Sequence, residues 1–382
     1  MSLVTPIDNG RHEPAGGFVQ SISPHHLVFF LLNVGDGDQQ VLLLPEDPGG
    51  VRRLVIVDAA KKRMTEALIA ELETEGLIEP ADPQNGRPDG SVALAVATHP
   101  HSDHIGGMAE LLHNEGGRIA EFWDPGYFHT TQAYHSMMAR VEGNEFLSYA
   151  QPTAGHRKWV GSALVTVLGP SVRLRNRFDT YGTEINDSSI TLRVEFPAAR
   201  VVSRGTGREL LEDPNTTTLI MGADAQTTSW AFVETEFPEL HTTDNAAARA
   251  IKAANGADPL KAKVLKVSHH GSKHGINLEL VERINPALTL VSSTADGPKH
   301  HFPHLLGQEA LREAKDSVAG SGAVRNRADW ELGILYTSDT EANGTRLGSI
   351  AVVMGRGRAT VWRFGDDTDE NLQLDQGRKF VP

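Results

Sequence analysis

Short apolar runs rich in β-branched residues recur along the whole chain, and they constrain its fold more than any other feature. They are His26–Val34 (HLVFFLLNV), Gln40–Pro45, Arg53–Ala60, Val92–His99, Ala163–Pro170, Ser188–Phe196, Thr216–Asp224, Lys263–His270, Ala287–Thr294, Gly348–Gly355 and Ala359–Phe364. Most are bounded by Gly, Pro, Asn or Asp, the signature of strands closed by turns. Helical periodicity falls between some of them, at Lys62–Glu75, His104–Asn114, Thr131–Val141, Thr227–Glu236, Asn245–Asn255 and His304–Asp316. The early runs follow one another without helices, which predicts local hairpins; the later ones alternate with helices. Sheets of this kind need covering layers, so the pattern predicts an α/β (α+β) layered fold.

The 382 residues suffice for one large domain or two ordinary ones, and no clear linker divides them. The expected organisation is a flexible N-terminal tail over 1–23, one domain over 24–365 and a C-terminal tail over 366–382. Residues 123–160, rich in Tyr, Phe, His and Met, read as an inserted helical lid or, more plainly, as a helix covering one sheet. No apolar run is long enough to span a membrane, and the polar N-terminus lacks a signal peptide's basic and apolar regions, so the cytoplasm is the expected location. The chain has no cysteine, which excludes disulfides and thiolate-bound zinc or iron–sulfur sites. Any metal must be held by His, Asp or Glu. The net charge of −13 opposes polyanions. Nucleic-acid binding would need local positive charge or metal ions, and the basic stretch RVVSRGTGR reads as a solvated loop.

Ligand-type residues concentrate where the apolar runs end. After VALAVAT come His99, His101, Asp103 and His104 within six residues, then Gly106 and Gly107 and a helical pattern. Histidines at i and i+2 of an extended segment point the same way, while Asp103 and His104 open the helix and face a second point nearby. Imidazole and carboxylate favour zinc, manganese or iron. Asp103 could alternatively be a simple helix cap. Further candidates stand at other strand ends: Asp58 after RLVIV, Asp224 after TTTLIMGA, and His269 and His270 after KVLKVS. An Asp after a strand is often a turn former. Adjacent histidines in HHGS are more specific, because buried polar groups need partners.

Together these segments resemble the metallo-β-lactamase superfamily, whose mark is the His-x-His-x-Asp-His turn, and within it the hydrolase domain of ComEC/Rec2 competence proteins. NVGDGDQQVLLL, LVIVDAA, HSDHIGGM, NDSSITLRVEF, LIMGADA, VLKVSHHGS and HHFPH are similar to family segments in order, over roughly His26–Phe364. The resemblance implies a four-layer αββα sandwich with two divalent metal ions, zinc foremost and manganese or iron as alternatives. It implies His99 and His101 on the first ion, Asp103 and His104 on the second, Asp224 bridging, and His270 (or else His269) as the last ligand. Asp58 would brace the metal turn through hydrogen bonds. Many relatives carry a further histidine before the bridging Asp. Here that region offers Asn186, Asp187 and Ser188, which makes Asp187 a possible extra ligand. The family's Gly-Asp reads Ala223-Asp224, and the membrane part of competence proteins is absent, so a free-standing hydrolase domain is expected.

The expected chemistry is hydrolysis by a metal-bound hydroxide, oriented by Asp103. His269, His301 or His304 could serve the leaving group, although His304 could instead cap its helix. A phosphodiesterase or nuclease-like activity on small or single-stranded substrates is the leading expectation. A lactonase or lactamase type of C–O or C–N hydrolase, or a non-catalytic metal-binding regulatory protein, are the alternatives.

Overall fold

The computed structural model describes residues 3–84, 87–175, 184–198, 200–204, 207–211, 216–238, 258–294, 300–319, 326–355 and 357–382. The strands are β1 (Leu27–Leu31), β2 (Gln39–Leu43), β3 (Leu54–Ala59), β4 (Val92–Val96), β5 (Glu121–Trp123), β6 (Ser148–Ala150), β7 (Arg157–Val160), β8 (Ala163–Gly169), β9 (Thr191–Phe196), β10 (Arg200–Arg204), β11 (Gly207–Leu211), β12 (Thr217–Met221), β13 (Val264–Lys266), β14 (Leu288–Val291), β15 (Ile334–Tyr336), β16 (Ile350–Gly355), β17 (Arg358–Arg363) and β18 (Arg378–Phe380). The helices are α1 (Phe18–Ser21), α2 (Met64–Thr74), α3 (Ser102–Ile105), α4 (Met108–Asn114), α5 (Gln132–Glu142), α6 (Val172–Arg175), α7 (Thr227–Glu236), α8 (Leu278–Ile284) and α9 (Leu305–Ala319). The expected helix over Asn245–Asn255 lies outside the described residues, as do parts of the expected loops Arg173–Asp187 and Ser203–Asn215.

One sheet has nine strands in the order β18-β17-β16-β1-β2-β3-β4-β5-β6, and the other seven in the order β15-β14-β13-β12-β9-β8-β7; β10 and β11 form a separate ribbon. The expected hairpins are present, since β1, β2 and β3 pair antiparallel in sequence. From β3 to β6 the pairing is parallel, with helices in the crossovers.

Side-chain alternation explains why the runs read as continuously apolar. Along β1, Phe29 and Leu31 join Val55, Val57, Val165, Val167, Leu192 and Leu219 in a core between the two sheets. The intervening Val28 and Phe30 join Ile56, Ala95, Leu68, Leu72, Leu111 and Met137 in a second core under the helices of the first sheet. On the second sheet Ile220, Leu265 and Val291 turn outward onto Trp230, Val233, Leu280 and Leu311. Strands buried on both faces need apolar residues at every position. The result is four layers, helix–sheet–sheet–helix. At ~1.5–3 kcal/mol per buried large aliphatic or aromatic side chain, the core between the sheets holds them together.

The two ends are not tails, which corrects the sequence reading. Phe18 is fully buried, with its ring edge-on to Phe30, Trp362 and Phe364 at 5.9, 5.4 and 5.1 Å. Ile7 is fully buried as well. At the other end β18 pairs with β17, and Leu372, Leu374 and Phe380 are buried. Isolated apolar residues among polar ones carry no periodicity, so neither segment shows in a pattern search. Residues 123–160 form no lid: β5 and β6 extend the first sheet, and α5 covers it with Tyr134, Met137 and Val141. Among the described residues no helix is long and apolar enough to cross a membrane.

Candidate metal centre

The strand ends converge at one edge of the sandwich. β3 and β4 are parallel neighbours, so the end of one stands beside the end of the other. That places Asp58 where it accepts hydrogen bonds from Thr98 N and Thr98 Oγ1, both at 2.8 Å. The same carboxylate lies 2.7 Å from His104 Nδ1. Asp58 thus ties the metal-type turn to β3 and fixes the His104 ring with Nε2 facing away from it.

Glycine lets the turn sit this close. A Cβ on Gly107 would meet Lys61 O at 2.5 Å, one on Gly106 would meet Ala60 O at 2.7 Å, and one on Gly37 would meet Asp103 O at 2.7 Å. The Gly-Gly after the histidines therefore serves backbone contact between α3 and the loop after β3.

The second sheet supplies the opposite wall. Asp224 follows β12 through Ala223, which takes the left-handed conformation at φ 45°. His269 and His270 follow β13, both left-handed at φ 49° and 53°. Asp224 stands in the middle. Its Oδ1 lies 3.2 Å from His104 Nε2 and 3.4 Å from His270 Nε2. Its Oδ2 lies 3.6 Å from His99 Nε2 and 3.8 Å from His269 Nε2. His99 Nε2 is 3.1 Å from His101 Nδ1, and His270 Nε2 is 3.9 Å from Asp103 Oδ2. Two donor sets result, Asp103–His104–Asp224–His270 and His99–His101–Asp224, each with its ligand atoms within 4.8 Å of one another.

These residues suit divalent cations. His99, His104 and His270 are fully buried and Asp224 is 1% exposed. Yet His104 Nε2, His270 Nε2 and Asp224 Oδ1 have no hydrogen-bond partner. Buried polar atoms left without partners are rare, and three facing one point call for a shared electrophile. Burial drives the His99 imidazole well below its usual range, helped by the neighbouring His104. Burial likewise lowers His101, and takes His269 to about 4. These rings are therefore neutral at pH 7, the form that binds metal. Burial opposes a proton on His104 too, but Asp224 and Asp58 outweigh it and raise this imidazole well above the usual value. Burial would raise Asp224, but His104 and His270 hold it well below the usual carboxylate range. A proton on His104 balances the Asp224 carboxylate, and a cation would take its place.

The other candidates are placed differently. Asp187 faces away: its Oδ1 accepts from Ser229 Oγ at 2.8 Å and Ser229 N at 3.3 Å, at the start of α7. Asn186 Nδ2 lies 3.5 Å from His269 Nε2. His304 precedes α9, but its ring bonds elsewhere: Nδ1 accepts from Lys273 N at 3.1 Å and Nε2 lies 3.2 Å from His300 O. The Phe302 ring, 5.1 Å from His304, touches His269 and His270 at 5.3 and 5.5 Å. His301 is exposed.

Sequence reading gave no role to Asp38 and Lys266, which are fully buried and ion-paired with each other. Asp38 Oδ1 is 3.7 Å from His270 Nδ1, and Oδ2 is 4.0 Å from His104 Nδ1. The carboxylate thus stands behind both histidines that face Asp224 Oδ1. The available signal was Lys266 itself, since a lysine inside the apolar run VLKV demands a buried counter-charge.

No family model and no curated protein matches the chain. Several solved structures are similar to it at low identity. The metallo-β-lactamase fold protein YhfI of Bacillus subtilis is 12% identical, over 77% of this chain and 93% of that one, with a TM-score of 0.36. CmlA of Streptomyces venezuelae, a diiron β-hydroxylase, is 12% identical over 78% of this chain and 51% of its own, with a TM-score of 0.36. A long form RNase Z from yeast is 11% identical over 71% of this chain and 38% of its own, with a TM-score of 0.32.

Proposed function

We propose that this chain is a metal-dependent hydrolase of the metallo-β-lactamase type that cleaves phosphodiesters, using two divalent cations. One observation carries the reading: the buried Asp224 turns its two oxygens to two separate sets of ring nitrogens. In the proposed assignment His99, His101 and Asp224 hold one ion, and Asp103, His104, His270 and Asp224 hold the other. When bound, such a pair supplies Lewis acidity and makes water nucleophilic at neutral pH.

The chain's own residues do the rest. Asp58 accepts the Nδ1 proton of His104, which leaves Nε2 as the free donor and holds the ring against rotation. Asp103, whose side chain is 42% exposed, is the carboxylate of the set that meets solvent, and it orients the attacking water. His99, His104, His270 and Asp224 are buried and His101 is half-buried, which limits the access of bulk water to the reacting centre. The phosphodiester preference rests on the sequence resemblance to the competence-protein hydrolase domain. The net charge of −13 favours small or single-stranded substrates over long duplexes.

The test is turnover of bis-p-nitrophenyl phosphate against a chromogenic lactam and a chromogenic lactone, with and without Zn²⁺ or Mn²⁺. Metal-dependent phosphodiester turnover is expected. Its absence with every divalent metal overturns the phosphodiesterase reading, and lactam or lactone turnover would replace it. A His101→Ala/Asp103→Ala double variant should lose activity; full retention overturns the metal mechanism itself.

A further inference from the structure

Building on the two-cation reading, we propose that His269 is the third nitrogen ligand of the ion held by His99 and His101. The pocket on Asp224 Oδ2 otherwise has only His99 and His101 beside the shared carboxylate. Zinc takes at least three protein ligands, and here one of them is shared with a second ion. His269 Nε2 is 3.8 Å from Asp224 Oδ2, the oxygen that His99 Nε2 faces at 3.6 Å.

The backbone is arranged to bring it there. His269 and His270 are both left-handed, at φ 49° and 53°, and their rings stand 6.2 Å apart at 75°. One imidazole meets Asp224 Oδ1 and the other Oδ2. Left-handed conformations are unfavourable for residues with a Cβ, and two in succession at a candidate site signal strain held for function. Gly275 clears the space: a Cβ there would press on His269 Cβ at 2.8 Å. The Phe302 ring, 5.3 Å from His269, closes the other side.

The competing donors are worse placed. Asp187 is bound by Ser229 Oγ and Ser229 N. Asn186 Nδ2 lies 3.5 Å from His269 Nε2, a contact that a cation on this nitrogen would displace.

The test is Zn²⁺ binding to the chelator-stripped full chain, by calorimetric titration and by metal content after gel filtration. Wild type should bind two ions. His269→Gly, which relaxes the backbone at φ 49°, should keep one tight ion. The other should weaken by more than the ~10–100-fold typical of losing a supporting partner. His269→Asn, which tolerates the left-handed region and lacks the ring nitrogen, should behave alike and guards against misfolding of the first variant. Asn186→Ala and Asp187→Ala should still bind two. Two ions bound within a few-fold of wild-type affinity in both His269 variants overturn the assignment. So does loss of an ion in Asn186→Ala or Asp187→Ala but not in the His269 variants. Fewer than two ions on wild type overturns the two-cation reading and this assignment with it.

Discussion

Asp58 shows how one residue can matter without facing the reacting centre. Its carboxylate binds the Thr98 backbone, the Thr98 hydroxyl and the His104 ring at once. Asp58→Ala should therefore weaken zinc binding by ~10–100-fold, read by titration of the stripped protein. An unchanged affinity would mean that His104 is oriented by packing alone. Ala223 carries the opposite lesson. It occupies φ 45° immediately before Asp224, where a Cβ is unfavourable. Ala223→Gly should raise stability against chemical denaturant by about 1 kcal/mol while leaving Asp224 in place. At this scale the sequence was readable where the site is local. His99, His101, Asp103 and His104 lie within one turn and announce themselves by spacing. Asp38 does not, because its partner Lys266 is 228 residues away and only folding joins them.

At the scale of elements, the strands were readable because both faces of each sheet are covered, which leaves long apolar runs in the sequence. The terminal segments were not, since each anchors through single residues. Their junction makes a pH prediction. His12 lies in an isolated antiparallel bridge with Phe380 of β18, and its ring packs on Phe380 at 5.3 Å. Burial, helped by the Arg363 and Arg378 charges, lowers its pKa from 6.5 to about 4. Glu341 faces it too, 3.6 Å from Nδ1. Because the unfolded chain takes up this proton first, the stability contributed by neutral His12 is full above pH 6.5 and is lost as pH falls toward 4. His12→Phe should flatten that part of the stability–pH curve. Comparing denaturant midpoints of the two proteins at pH 7 and pH 5 checks it; equal losses in both would refute the role of His12.

The whole molecule is two sheets whose edges meet at the candidate centre. His99, His101, Asp103 and His104 follow β4 of the nine-stranded sheet, while Asp224 and His270 follow β12 and β13 of the seven-stranded one. Cations held between these groups would link the sheets as directly as the apolar core between them does. Ions that bind only the folded chain stabilise it by mass action, ~2.7 kcal/mol for one site at a free concentration one hundred times its Kd. Removing them also leaves Asp224, His104 and His270 facing one another with unpartnered atoms. Stripping with a chelator should therefore lower the global unfolding temperature, and Zn²⁺ should restore it. The shift should appear in one cooperative transition, because both sheets contribute donors. A metal-dependent change confined to one of two separable transitions would show instead that the ions belong to a single sheet's loops, and the bridging role of Asp224 would fall with it.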